Sequence, residues 1–145
     1  MSERVLKRLD HVAVVVRDTD AAIGHFSGML GLEVVSSEVL LEPRLRLTYL
    51  DLGNTLLQLV EPLDADSAVA TALAETGEGL HHLCFAVDPV AEAATALADP
   101  PQAPVLGSGR GRASAFVAGP VRHGVRIECT EFWRDVDVGG DGWLA

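Results

Sequence analysis

Basic side chains are scarce in this chain. Eleven lysines and arginines stand against 21 aspartates and glutamates, for a formal net charge of −10. A nucleic-acid partner requires a basic stripe to neutralise phosphates, so that class is set aside. A small anionic substrate is not, because it feels local rather than global charge. Cysteine is scarce too: Cys84 and Cys129 are the only two, too few for a disulfide framework. Cys84 shares strand parity with His82, and Cys129 has the parity opposite to Glu128. If His82 and Glu128 point inward, the two sulfurs fall on opposite sheet faces and do not pair. No apolar run is long enough to span a membrane, and no charged-then-apolar signal segment opens the chain. The expectation is a soluble, cytoplasmic protein with neither a membrane nor a nucleic-acid partner.

What is present is a core and a repeat. At 145 residues and 48% hydrophobic, the chain is expected to form one domain over 1–145. Leu9-Asp10-His11-Val12-Ala13-Val14-Val15-Val16 and Leu80-His81-His82-Leu83-Cys84-Phe85-Ala86-Val87 each set a His near the start of an apolar strand. Each is followed by a helix start, and later by an apolar strand with one polar interior residue. That residue is Gln58 in the first copy, 47 positions after His11, and Glu128 in the second, 46 positions after His82. Module one runs over about 8–62, module two over about 79–131, and an acidic tail over 132–145, with Trp133 and Trp143 to pin it to the body or to another subunit.

The pattern within each module is strand, helix, then three strands. Leu9 to Val16 is so fully apolar that burial on both faces is expected. Asp18 or Thr19 caps a helix whose apolar face carries Ile23, Phe26 and Met29 or Leu30, and Gly31 stops it. Leu32 to Leu40 is a strand, Glu42-Pro43 a turn, Arg44 to Asp51 a strand with one wetter face, and Thr55 to Val60 a strand. Asp66 or Ser67 caps a helix over Ala68 to Thr76, ending at Gly77. In module two Leu80 to Val87 is a strand. Asp88 as cap and Pro89 as first helical residue open a helix to about Ala98. A short strand near Val105, a glycine-rich turn through Gly107–Gly111, and strands over Ala113–Val117 and Val125–Glu131 complete the module.

Taken singly, His11, Gln58 and His82 read as hydrogen-bonded core residues. Glu128, between Ile127 and Cys129, needs a cation or several donors if it is buried. The matched spacing changes that reading, because two copies supply four ligands to one ion. Strand parity places Ala13 and Val15 on the face of His11, and Cys84 and Ala86 on the face of His82, leaving room for a substrate. His81 competes for the ligand role but shares its parity with Leu83 and Phe85, so His82 is preferred. Two imidazoles, one amide oxygen and one carboxylate suit Co²⁺, Mn²⁺, Ni²⁺, Fe²⁺ or Zn²⁺ in a non-structural site. One ligand charge leaves such an ion net positive, ready for an anionic ligand offering two oxygens.

At these residues the chain resembles the vicinal oxygen chelate superfamily (glyoxalase, bleomycin resistance, dioxygenase), and within it the methylmalonyl-CoA epimerase group. The matching stretches are Leu9-Asp10-His11-Val12-Ala13-Val14, Gly28-Met29-Leu30-Gly31-Leu32-Glu33-Val34, Asp51 to Pro62, Gly77-Glu78-Gly79-Leu80-His81-His82-Leu83-Cys84-Phe85, and Val125-Arg126-Ile127-Glu128. The resemblance implies an α+β fold of two paired βαβββ modules, forming a cupped eight-stranded mixed sheet around a metal site. It implies metal ligation by His11, Gln58, His82 and Glu128, an acyl-CoA-type substrate, and a homodimer. It also implies two bases for α-proton exchange: Glu128, and a glutamate after the second strand, for which Glu42 is the nearest match and Glu38 the fallback. Arg110, Arg112, Arg44 and Arg46 are candidates to meet CoA phosphates, although each alone reads as a solvated charge. Alternatives are another enzyme of the superfamily, such as a glyoxalase-type isomerase or lyase or a natural-product tailoring enzyme, or a metal-free small-molecule binding or resistance protein.

Overall fold

A computed structural model of the protein describes residues 4–132. The tail beyond Phe132, with Trp133 and Trp143, lies outside the described residues. The elements are β1 (Arg8–Val15), α1 (Thr19–Ile23) running into a π-helical segment (Gly24–Met29), β2 (Glu33–Leu41), β3 (Arg44–Asp51), β4 (Leu56–Pro62), α2 (Ala68–Thr76), β5 (Gly79–Val87), α3 (Val90–Leu97), β6 (Gly107–Gly109), β7 (Arg112–Phe116) and β8 (Ile127–Glu131). The strands form one mixed sheet in the order β2-β3-β4-β1-β5-β8-β7-β6. The β5–β8 pair is parallel, while β2–β3, β3–β4, β6–β7 and β7–β8 are antiparallel. This is the α+β arrangement expected from the two strand-helix-strand-strand-strand modules.

The chain divides into two compact units. Among the described residues, one comprises residues 4–11 together with 82–132; the other is Val12–His81. The boundaries run through β1 and β5.

In the unit Val12–His81, Val16, Leu50, Leu57 and Leu59 form a buried cluster against which Val14, Ala22, Ile23, Phe26 and Leu32 pack. The Asp18 carboxylate accepts a hydrogen bond from the Ala21 N–H at 3.1 Å and caps α1. The apolar face does not extend to Met29 or Leu30, one of which was expected to complete it: they are 77% and 57% exposed. The reason is a change of pitch. The Leu30 N–H donates to the His25 carbonyl, five residues back, at 3.0 Å, so the 3.6-residue spacing fails beyond Phe26. The wetter face expected for β3 is also absent over most of its length, since Thr48 and Leu50 are as buried as Leu47 and Tyr49. Ser67 caps α2, its hydroxyl accepting from the Ala70 N–H at 3.0 Å, and Gly77 ends the helix at φ 79°.

Two glutamates of this unit fix the loop between β1 and α1. Glu61 Oε1 accepts from the Thr19 N–H at 2.8 Å and from its hydroxyl at 2.7 Å. Glu78 accepts from the Arg17 N–H at 2.9 Å.

In the other unit, Val87, Val90, Ala93, Ala94, Ala115 and Cys129 form the core, with Leu6 and Val117 against it. The expected cap on α3 is corrected. Pro89, extended at ψ 156°, occupies the cap position with no side-chain hydrogen bond, so Asp88 lies one residue too early. The strand expected near Val105 falls instead at β6, inside the stretch read as a glycine-rich turn, and Val105 is 91% exposed. The turn proper is only Arg110-Gly111, between the paired residues Gly109 and Arg112. Val125 bridges Arg122, and β8 begins at Ile127. Cys84 and Cys129 are free and buried. Among the described residues no helix is long and apolar enough to cross a membrane.

Candidate metal centre

Three of the four expected ligands belong to one unit and converge there. His11 lies on β1, His82 on β5 and Glu128 on β8. Parallel pairing sets Cys84 beside Glu128, and His82 is two residues earlier on the same face as Cys84. Glu128 Oε1 lies 3.1 Å from His82 Nε2 and 3.4 Å from His11 Nε2. The imidazole centroids are 5.5 Å apart at an interplanar angle of 71°. Phe116, the cross-strand neighbour of Glu128, sets its ring edge-on to His82 at 4.9 Å. His11 and His82 are 2% and 7% exposed. The ligating atoms of His11, His82 and Glu128 all lie within 4.8 Å of one another.

The electrostatics favour an ionised carboxylate between two imidazoles. Burial alone raises the Glu128 carboxyl, but hydrogen bonds and charge from His11 and His82 hold it well below the usual carboxylate range. Burial pushes His82 below its ordinary value, and Glu128 only partly offsets this. Burial pushes His11 down as well, but hydrogen bonds to Asp10 and Glu128 outweigh it and raise the value.

Gln58 belongs to the other unit, on β4. Its Nε2 donates to the Tyr49 hydroxyl at 2.9 Å, a partner directly opposite on β3. That bond fixes the amide. The Oε1 atom is buried, and among the described residues it has no hydrogen-bond partner. A buried amide oxygen left in this way is costly unless something outside the protein chain coordinates it. Within the first unit, a carboxylate oxygen between two imidazole nitrogens fits a divalent ion.

A second group, Asp10, His11 and Cys84, also has metal-ligand spacing. It is the poorer candidate. Burial, with the nearby charges of Glu128 and Asp10, pushes the Cys84 thiol well above its ordinary range, whereas a metal ligand must be a thiolate. Asp10 is already engaged by arginine.

The remaining site candidates are placed as follows. Glu42 is exposed in the β2–β3 turn. Glu38 is half-buried on β2 opposite Leu47, which in turn faces Val60 on β4, so it shares the sheet face of Tyr49 and Gln58. Arg46 pairs with Asp20 at 3.1 Å, and Arg44 is exposed. Arg110 and Arg112 are not solvated charges. Their side chains are 9% and 2% exposed, and both meet the Asp10 carboxylate. Asp10, 2% exposed, also accepts from His11 Nδ1 at 2.7 Å. The place of Asp10 next to His11 was the one sequence signal for this group, and strand alternation, which sends neighbours to opposite faces, argues against it.

The family follows from comparison with known proteins. A model of the Glyoxalase/Bleomycin resistance protein/Dioxygenase superfamily matches residues 10–118, and the chain belongs to that superfamily. It is 31% identical over 131 residues to Bacillus subtilis YqjC, covering 87% of this chain and 93% of that one. It is 32% identical over 112 residues to the ethylmalonyl-CoA/methylmalonyl-CoA epimerase of Cereibacter sphaeroides, covering 77% and 83%. A variant of Streptomyces coelicolor methylmalonyl-CoA epimerase in complex with 2-nitronate-propionyl-CoA superposes with a TM-score of 0.76 at 31% identity, covering 89% of this chain and 99% of the other. The chain spans about half the length of the mitochondrial methylmalonyl-CoA epimerases it matches.

Proposed function

We propose that this chain is a metal-dependent epimerase of a 2-substituted malonyl-CoA-type thioester, methylmalonyl-CoA being the first to test, and that it works in the cytoplasm as a homodimer. The observation that carries the reading is the convergence of His11 Nε2 and His82 Nε2 on Glu128 Oε1. The similarity to epimerases of this substrate class supports it.

His11, His82, Glu128 and Gln58 would hold the ion. When bound, a divalent cation supplies positive charge that stabilises an enolate next to a thioester carbonyl. Epimerisation then needs one carboxylate to take the α-proton from one face and one carboxylic acid to return a proton to the other, with no net change in atoms or charge. Glu128, its side chain 15% exposed, is held ionised by the two imidazoles, and it serves one face. Two side chains compete for the other. Glu42 is the one the family resemblance favours, but it stands exposed in a turn. Strand register favours Glu38, which shares Gln58's face.

Exchange of the substrate α-hydrogen with deuterated solvent tests this. Wild-type protein with cobalt is expected to exchange and epimerise methylmalonyl-CoA, and chelated protein is not. Glu38→Gln is expected to lower epimerisation by about 10²–10⁴-fold, whereas Glu42→Gln leaves it within a few-fold. The reverse pattern assigns the second base to Glu42. Tight binding of the thioester with neither metal nor exchange would instead establish a sequestering protein.

A further inference from the structure

Asp10 is a buried carboxylate that none of the expected chemistry uses. Its Oδ2 lies 2.7 Å from His11 Nδ1 and also accepts from an Arg110 guanidinium nitrogen, while Oδ1 is 3.7 Å from Arg112 Nη1. The arginines arrive from a hairpin a hundred residues later in the chain. Arg110 and Gly111 form its two-residue turn, both with positive φ, 56° and 71°. Such a turn favours asparagine, aspartate or glycine at its first position, because a side chain there is strained. Arginine at that position sends its side chain inward, 9% exposed, onto Asp10. Arg112, the first residue of β7, is buried beside it.

We propose that Asp10, braced by Arg110 and Arg112, is a positioning residue that holds the His11 proton on Nδ1 and so presents Nε2 as the ligating atom. An ionised carboxylate only accepts, so the atom facing it must be an N–H donor. In the neutral ring the single proton goes to the nearer carboxylate, Asp10 at 2.7 Å rather than Glu128 at 3.4 Å, which leaves Nε2, turned toward Glu128, for a cation. The two guanidinium groups do two jobs. They aim the carboxylate, and their two positive charges more than offset its single negative one, so that it does not diminish the positive field around a bound cation. The proposal deepens the metal-dependent reading and rests on it for the ligating role, but the location of the His11 proton can be measured without any metal.

The test is nitrogen NMR of ¹⁵N-histidine-labelled, metal-free protein on the alkaline side of the His11 titration, together with calorimetric titration of Co²⁺. Wild type is expected to show a single neutral His11 form protonated at Nδ1. Asp10→Asn, whose amide can donate as well as accept, is expected to show a mixture of both forms and to bind Co²⁺ about 10–100-fold more weakly. Arg110→Gly relieves the turn and is expected to keep the fold, while weakening Co²⁺ binding several-fold. Wild-type His11 protonated at Nε2, or a folded Asp10→Asn protein with one unchanged form and unchanged affinity, overturns the proposal. Should Asp10→Asn fail to fold, wild-type Co²⁺ affinity in Arg110→Gly overturns it. Wild-type protein that binds no Co²⁺ removes the metal reading, and the proton on His11 still decides the role of Asp10.

Discussion

Glu61 and Glu78 lie in two of the stretches that carry the family resemblance, yet both are spent on holding a loop. Their carboxylates hold the entry to α1 through Thr19 and Arg17. A half-buried carboxylate accepting two bonds from one residue is worth more than a surface ion pair. Glu61→Ala is therefore expected to cost about 1–3 kcal/mol in urea denaturation while leaving cobalt stoichiometry unchanged. Residues of this kind were not legible as structural, because sequence shows which side chains are present and not which orphan N–H groups they meet. His11, His82 and Glu128 were legible, since strand alternation alone fixes which side chains share a face. Asp10 was not. Alternation assigns neighbouring side chains to opposite faces, and it gives no sign that Asp10 reaches back to the His11 ring.

Elements were legible where a local cause dominates. Ser67, the alanine-rich run and Gly77 set the ends of α2 without help from tertiary contacts. The π-helical segment after α1 and the displaced β6 depend on packing, and there the apolar spacing around Met29 and Val105 misleads. β8 supplies a consequence at this scale. It carries Glu128 on one face and the Cys129 thiol, fully buried, on the other. Burial, with a smaller effect from the Glu128 charge, pushes Cys129 from 9.0 up to about 11, and Cys84 moves the same way. The unfolded chain thus releases these protons first. Their contribution to stability is complete below about pH 9 and is lost as pH rises toward 11. Thermal melts are expected to fall across that window, and neither thiol is expected to react with iodoacetamide in native protein at pH 8.

At the scale of the whole molecule, one ion would join residues as distant as His11 and Glu128. Binding only to the folded state, Co²⁺ at one hundred times its Kd adds about 2.7 kcal/mol of stability. For a chain of this size that is a rise in Tm of roughly 5–10 °C, reversed by chelator and absent in His82→Ala. An unchanged Tm in wild type would count against shared ligation. The repeat was legible because both copies keep nearly the same spacing, 47 and 46 positions. The division of the chain through β1 and β5 was not, because it follows spatial packing, whereas the repeat follows the order of residues.

The inward-facing arginine at the tip of the β6–β7 hairpin also bears on how this chain can change over time. Adding or deleting a single residue between Gly109 and Arg112 would swing both guanidinium groups off Asp10, so length there is locked. The stretch Pro100-Pro101-Gln102-Ala103-Pro104, irregular and mostly exposed, bears no such constraint. Insertions are therefore expected to be tolerated before β6 rather than at its turn, and a library of length variants is best built there.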